Sequence, residues 1–497
     1  MHYLKEVKVV KGEVQIRHVK YSYHKNEMQL NDVNLNVSRG ECIAIIGSSG
    51  CGKSTLTRVI NGLIPSFFKG ELSGQTLIKQ KDLCKLSSWE IGKMVGNVFQ
   101  DPRSQFFSNE VAGEIAFGCE NIGLTHSEII KRVEKTAKEM GAEALLKESI
   151  YNLSYGMRQK IAICSAKAME PDIYVFDEPS ANLDLSATYL LANLIRKLKD
   201  EGKTIILAEH RLFYLNEIVD RYIFMEAGKI VEEYSSREMQ ELKSEVLNQK
   251  GLRSLHLNEI AVPKTNFTES VSTHSVKIMN LSKSFKNIPL LKNITFQYDS
   301  NEIIALLGAN GAGKSTLGKI IAGLLKESAG EIFVDGILRK HRQRIGEIWY
   351  IPQDLDSQLF GEDLIDELTT GLKEPDKDID RAENILKELG LLQFKNKHPS
   401  TLSGGQKQRL VLGVAMMRKV PMIILDEPTS GLDFKSMEKV RALIKQQQKS
   451  GTKFLIISHD IEFIARTCNR ILKLDRGEIT EDYYLKDIED LLKSMNV

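Results

Sequence analysis

No stretch of this 497-residue chain runs apolar for the roughly 18–20 residues that a membrane-crossing helix needs, so the chain is expected to stay out of the bilayer. A charge excess is missing as well. Lys and Arg number 68 against 66 Asp and Glu, a formal net charge of +2. Non-specific nucleic-acid binding takes a concentrated basic excess, so that partner class is set aside. Met1–Lys11 is short and mixed in charge, which is not the pattern of a secretory leader. Paired cysteines are lacking too: Cys42, Cys51, Cys84, Cys119, Cys164 and Cys468 are scattered without a CxxC spacing. That argues against zinc, an iron–sulfur cluster or a disulfide framework, and for a reducing cytosol. Each cysteine is expected to be a small buried hydrophobe, with Cys51 set apart by the motif it occupies. What is present, 42% hydrophobic and 27% charged residues, suits folded protein with sizeable cores. The length allows two or three domains of roughly 100–200 residues.

An internal repeat organises the chain. GSSGCGKST begins at Gly47 and GANGAGKST at Gly308, 261 residues later. FDEPSANLD and LDEPTSGLD place Asp177 and Asp426 249 residues apart, and the same 249 separates LSYG from LSGG and His210 from His459. The second copy therefore lacks twelve residues between its first two landmarks and keeps register afterwards. A polar stretch from about Glu232 to Ser275 lies between the copies, read as a short terminal helix followed by a Ser/Thr-rich linker. The expected division is 1–240, linker 241–273, and 274–497. Each unit reads as α/β: ECIAIIG and NEIIALLG are strand-length apolar runs meeting a Gly-rich turn, and KSTLTRVINGL and KSTLGKIIAGLL follow with helical periodicity. IYVFDE, MIILDE, TIILAEH and KFLIISH read as buried strands with polar ends, where ligands sit in open α/β sheets.

Both Gly-rich stretches match G-x-x-x-x-G-K-[ST] at a strand-to-helix junction. Glycines there let backbone N–H groups approach phosphate oxygens, and the helix start favours anions. The expected phosphate cradles are Gly47, Ser48, Ser49, Gly50, Cys51, Gly52, Lys53, Ser54 and Thr55, and Gly308, Ala309, Asn310, Gly311, Ala312, Gly313, Lys314, Ser315 and Thr316. Lys53 and Lys314 would reach the β- and γ-phosphates of ATP, and Ser54 and Ser315 would ligate its Mg²⁺. A merely tight turn is the alternative for one copy, but not for two that are each correctly placed. Asp177 and Asp426 end apolar strands and suit the Mg²⁺ shell, while Glu178 and Glu427 suit a general base that polarises water. Cys51 sits at a helix amino terminus, which lowers a thiol pKa, so thiol reagents are expected to inhibit and ATP to protect.

Taken together, the phosphate loop, a strand-end Gln, LSGGQ, the Asp-Glu strand end, a following loop and a final His resemble the ABC-type ATPase domains, over nearly all of both units. The resemblance implies two tandem P-loop domains, each with a mostly parallel core sheet, an antiparallel β subdomain and a helical subdomain. It implies that each ATP is held between one unit's phosphate loop and the other unit's signature loop. It makes Gln100 and Gln353 the Q-loop glutamines, which sense Mg²⁺, water and the membrane partner. It makes Asn182-Leu183-Asp184 and Gly431-Leu432-Asp433 the D-loops, and His210 and His459 the γ-phosphate switch. The signature loops are Ser154, Tyr155, Gly156 and Met157, an irregular copy, and Ser403, Gly404, Gly405 and Gln406, a regular one. Tyr23 and Phe285 lie where the family stacks an aromatic on adenine, with Tyr21 competing for that role.

Three classes of paired ATPase remain. DNA-repair and chromosome ATPases would need a long coiled coil or cysteine metal sites. Ribosome-associated factors share the layout but carry a long charged linker. Importer subunits dock on separate membrane proteins. After each Q-loop glutamine, QDPRSQFFSNEVAGEIAFGCEN and QDLDSQLFGEDLIDELTTG share a second Gln and two apolar residues. Phe106-Phe107 and Leu359-Phe360 are expected to give one core residue each and one residue to a groove for a partner helix. With AFGCEN and AEHRLFYL, this stretch is similar to the duplicated ATPases of energy-coupling factor (ECF) vitamin importers. That resemblance implies a transmembrane coupling protein and a small substrate-binding membrane subunit as partners, and a place on the cytoplasmic face of the membrane. Tandem sugar importers are the nearest alternative, though they commonly alter the second unit, not the first. Duplicated ATPases of this look are associated with thiamine or its hydroxymethylpyrimidine precursor. The site assembled from Lys53, Ser54, Gln100, Glu178 and His210 with the regular loop is expected to be the faster of the two.

Overall fold

The computed structural model describes residues 12–24, 27–263, 275–298 and 302–495, and the chain divides into two compact units, Met1–Leu255 and His256–Val497. The Ser/Thr-rich part of the expected linker, 264–274, lies outside the described residues.

The first unit is built on a six-stranded sheet. Cys42–Ile46, an unbroken run of buried apolar residues, pairs in parallel with Thr204–Ala208 on one side and Arg221–Glu226 on the other. Ile173–Asp177 and then Val95–Val98 continue the parallel order, and Lys229–Ser235 closes the far edge antiparallel. Runs buried on both faces are what a parallel sheet covered by helices requires. A four-stranded antiparallel sheet joins Val14–Ser22 to Met28–Val37 and Glu71–Ile78, with the short Lys81–Asp82 at its edge. Helices Val111–Asn121, His126–Met140 and Tyr155–Ala168 pack together as a separate helical part.

The second unit repeats the order. Ile303–Leu307 lies between Lys453–Ile457 and Arg470–Asp475, followed outward by Met422–Asp426, Ile348–Ile351 and the antiparallel Glu478–Tyr484. Its antiparallel sheet uses Val276–Phe285, Ile288–Tyr298, Ala329–Val334 and Ile337–Leu338. Both units are therefore α/β as expected, each with a mostly parallel core sheet, an antiparallel sheet and a helical part.

The twelve missing residues fall in two places. Gln100 and Gln353 are 253 apart, so eight are lost before this glutamine and four after it. Before it, the seven-residue helix Ser88–Met94 is matched by the four-residue His341–Arg344. After it, Val111–Asn121 and His126–Met140 shorten to Leu364–Thr369 and Ile379–Glu388. The strands that carry the motifs are untouched. The first unit also runs further than residue 240: helix Ser244–Gln249 follows, and Leu247, Leu252 and Leu255 join its core.

Candidate functional site

In each unit the strand that opens the motif ends at a glycine whose backbone no other residue could replace. A Cβ on Gly47 would stand 2.3 Å from the Met225 carbonyl oxygen, and one on Gly308 would stand 2.3 Å from that of Leu474. Helices Lys53–Ile60 and Lys314–Ile321 start directly after the loops. The lysines fold back over the loop: Lys53 Nζ donates to Gly47 O (2.9 Å) and Ser48 O (3.2 Å), and Lys314 Nζ donates to Gly308 O (2.6 Å) and Ala309 O (3.0 Å). Each ammonium also lies 3.2 Å from a histidine Nε2, that of His210 or His459. Lysine and switch histidine, 157 and 145 residues apart in sequence, thus meet in both units.

Glu178 and Glu427 adopt a left-handed backbone, φ 46° and 51°. Such a conformation costs a non-glycine residue about 1–3 kcal/mol and clusters at functional sites. Its effect is to turn each carboxylate toward the histidine. Glu178 Oε1 is 3.1 Å from His210 Nε2, and Glu427 Oε1 is 3.7 Å from His459 Nε2. Gln100 Nε2 donates to Glu178 Oε2 at 3.2 Å, so Q-loop, base candidate, histidine and lysine form one connected line in the first unit. In the second, Asn310 Oδ1 also lies 3.2 Å from His459 Nε2. Gln353, Asn310, Lys314, Ser315, Asp426 and Glu427 line a cleft of about 220 Å³ there.

The expected Mg²⁺ ligands also converge. Ser54 Oγ donates to Asp177 Oδ1 at 2.9 Å. Burial first, and the Glu178 carboxylate second, push the Asp177 carboxyl up to about 6. A divalent cation would relieve that cost, and Mg²⁺ ordinarily takes one or two carboxylates or hydroxyls plus phosphate oxygens and water. The residues fit the cation that accompanies ATP. In the second unit a residue that sequence reasoning missed enters the set: Tyr350 donates its hydroxyl to Asp426 Oδ2 at 2.5 Å. The strand register gives the match, since Tyr350 lies opposite Ile424 as Asn97 lies opposite Val175.

The aromatic candidates separate. Tyr21 is fully buried and donates to the carbonyls of Phe68 and Lys69, which removes it from contention. Tyr23 is half-buried and accepts a hydrogen bond from Arg58 (2.9 Å), while Phe285 is 46% exposed beside Lys283. Cys51 departs from its expectation: at 6% exposure it packs into the core, and Cys84 is the exposed thiol.

The signature loops both start helices, Tyr155–Ala168 and Gly404–Arg418, with Ser154 and Ser403 as the capping residues. Gln406 Oε1 accepts from the Ser403 N–H at 2.8 Å, a bond that Met157 cannot make. Gly156 is required by the next helix, since a Cβ would meet Ala187 Cβ at 2.7 Å, and Gly405 is tightly packed, with Ser436 Cβ 3.1 Å from where its Cβ would stand. Asp184 and Asp433 of the D-loops cap the helices Leu185–Asp200 and Phe434–Lys449.

After the Q-loop the two residues of each pair differ in exposure. Phe106 packs on the core and Leu359 is half-buried, whereas Phe107 and Phe360 are 73% and 79% exposed. Their backbones are held by glutamates that sequence reasoning did not find. Glu114 accepts from the N–H groups of Phe107 and Ser108 (2.8 and 2.9 Å), and Glu367 from those of Phe360 and Gly361 (both 2.7 Å). Both carboxylates are buried. Their matching i+7 spacing from the exposed phenylalanine was the signal available.

The family described as ABC transporter matches residues 30–181 and 291–430, more than half of the chain. A protein of Treponema denticola named as an ABC transporter ATP-binding protein is 40% identical over 475 residues, covering 94% of this chain and 96% of that one. A Bacillus subtilis protein named as the HMP/thiamine import ATP-binding protein YkoD is 30% identical, covering 92% and 89%. Among solved structures, RNase-L Inhibitor superimposes with a TM-score of 0.64 at 22% identity, covering 96% of this chain and 93% of that one, a likeness of fold alone.

Proposed function

The chain belongs to the ABC transporter family as an ATP-binding subunit with two ATPase domains, and on that premise we propose that it energises an ECF-type importer of a vitamin or related micronutrient. The observation that carries this reading is the matched pair of exposed phenylalanines, Phe107 and Phe360, each presented on a backbone clamped by a buried glutamate. An exposed ring on a rigid loop suits an apolar helix-in-groove contact. The likeness to a protein named for HMP/thiamine import makes a pyrimidine-type cargo the first to test.

The chemistry follows from the residues. ATP binds with its phosphates over Gly47–Thr55 and Gly308–Thr316, its Mg²⁺ near Ser54, Gln100 and Asp177 or Ser315, Gln353 and Asp426. Lys53 and Lys314 turn from loop carbonyls to phosphate oxygens, a change that leaves His210 and His459 free to reach the γ-phosphate. Glu178 and Glu427 then orient the attacking water. Closure on nucleotide and reopening after hydrolysis act as a population shift that the loops bearing Phe107 and Phe360 pass to a transmembrane coupling protein. That protein carries a small substrate-binding subunit, and the chain works at the cytoplasmic face of the membrane. The two sites turn over unequally, with the Lys53 and Glu178 site faster.

The test is affinity purification of the full chain from detergent-solubilised membranes of its own cell. A coupling protein together with a small vitamin-binding membrane subunit is the expected company, lost in Phe107→Asp/Phe360→Asp while ATP binding persists. A sugar-type permease or ribosomes in their place would overturn it.

A further inference from the structure

The irregular signature loop does more than lose a glycine. Tyr155 extends its hydroxyl across to the Q-loop and donates to the Gln100 carbonyl oxygen at 2.7 Å. The Tyr155 hydroxyl oxygen in turn accepts from Asn182 Nδ2, on the D-loop, at 2.9 Å. Burial pushes the phenol up to about 12, so it stays a protonated donor through the physiological range. Three segments separated by 55 and 27 residues are thus tied at one oxygen atom.

The other unit shows that the two ends of this tie go together. Positions 155 and 182 correspond to Gly404 and Gly431, 249 residues on in each case, and neither glycine has a side chain to bond with. Steric need does not explain the glycine at 404, because a Cβ there would meet nothing within 4 Å. Tyrosine and asparagine occur together in one unit, glycine and glycine in the other.

We propose that Tyr155 and Asn182 are positioning residues that fasten the signature loop and D-loop of the first unit to its Q-loop, so that the three move as one body. The consequence runs through Gln100, whose carbonyl is held by Tyr155 while its side chain holds Glu178, itself 3.1 Å from His210. Any displacement of the Q-loop by a docked partner is delivered at once to the base candidate and to the signature helix. In the second unit the corresponding loops lack this tie. The altered LSYGM sequence is on this reading a gain of mechanical coupling. It rests on the ATPase reading only for its effect on turnover.

The test uses the full-length chain and three variants: Tyr155→Phe, which removes the hydroxyl and keeps the ring, Asn182→Ala, and the two combined. Hydrogen–deuterium exchange is followed in peptides covering 98–104, 153–158 and 180–184, alongside ATP turnover. The expected result is faster exchange in 98–104 and 180–184 together for Tyr155→Phe, by at least threefold. Turnover should fall at least threefold with KM for ATP within twofold of the parent, and the double variant should be no slower than the slower single. Asn182→Ala leaves the ring packing intact, so a fold lost in Tyr155→Phe would not remove the test. Exchange that rises in one segment only or in none, or losses in turnover that multiply, would overturn the proposal. A parent chain that hydrolysed no ATP would contradict the ATPase reading instead, and the exchange comparison would still decide the tie.

Discussion

Tyr350 donates a hydrogen bond to Asp426 at 2.5 Å, while Asn97, its counterpart in the first unit, leaves its buried side-chain oxygen without a partner. The two expected cation sites are therefore supported differently. A group that hydrogen-bonds a ligating carboxylate fixes its orientation, and losing one costs about tenfold or more in metal affinity. Tyr350→Phe is expected to raise the Mg²⁺ concentration for half-maximal hydrolysis about tenfold in a Glu178→Gln background, where the second site supplies the signal. Asn97→Ala should leave that midpoint where it was. An unchanged midpoint in Tyr350→Phe would remove the tyrosine from the cation site.

Phe285, the expected adenine-stacking residue of the second unit, is exposed, whereas Tyr21, the rival to Tyr23 in the first, is buried. Stacking on a base is worth about 1–3 kcal/mol. Equilibrium titration with a fluorescent ATP analogue should show Phe285→Ala weakening the second site about tenfold and Phe285→Trp retaining it. Tyr21→Phe should bind as the parent does.

Thiol chemistry should follow burial. Cys84 is exposed and the other five cysteines are buried. Under native conditions a maleimide is expected to modify Cys84 first, with Cys51 reacting only on unfolding, as read by peptide mass spectrometry. Rapid, ATP-protected labelling of Cys51 would restore the expectation drawn from its place at the helix start.

The buried glutamates should matter to stability as well as to docking. Glu114→Ala leaves two N–H groups, of Phe107 and Ser108, without their acceptor. A hydrogen bond to a charged group contributes about 1.5–3 kcal/mol. Urea unfolding should show a loss of about 2–3 kcal/mol for Glu114→Ala, and of similar size for Glu367→Ala. Loss of less than 0.5 kcal/mol, an effect of the size ordinary surface substitutions have, would mean that the loops are held otherwise.

Much of this was legible in sequence because the phosphate loops, the Asp-Glu strand ends and the helix-starting serines are local patterns with local causes. Their repetition at a constant offset made them secure, and the structure brings Lys53 to His210 and Lys314 to His459 as that pattern implies. Side-chain destinations were less legible. Tyr155 read as a damaged glycine because sequence gives the loss of backbone freedom, whereas the gain lies in contacts with residues 55 and 27 positions away. Tyr21 and Tyr23 are two residues apart, so the strand period gives both the same face and could not separate them; the strand ends at Ser22, which leaves Tyr23 half-buried beyond it. Cys51 looked reactive from its motif, and only packing shows that its sulfur faces the core.

The central claim is that two ATP sites of unequal speed act in one chain, the faster built on Lys53 and Glu178. Its expected basis is the family's pairing of that site with the regular loop Ser403–Gln406. The most direct measurement is ATP turnover by the complete transporter complex carrying Glu178→Gln or Glu427→Gln. The account predicts the larger loss from Glu178→Gln, with measurable turnover remaining, and residual activity near the parent's in Glu427→Gln. Equal losses, or a larger loss from Glu427→Gln, would contradict it.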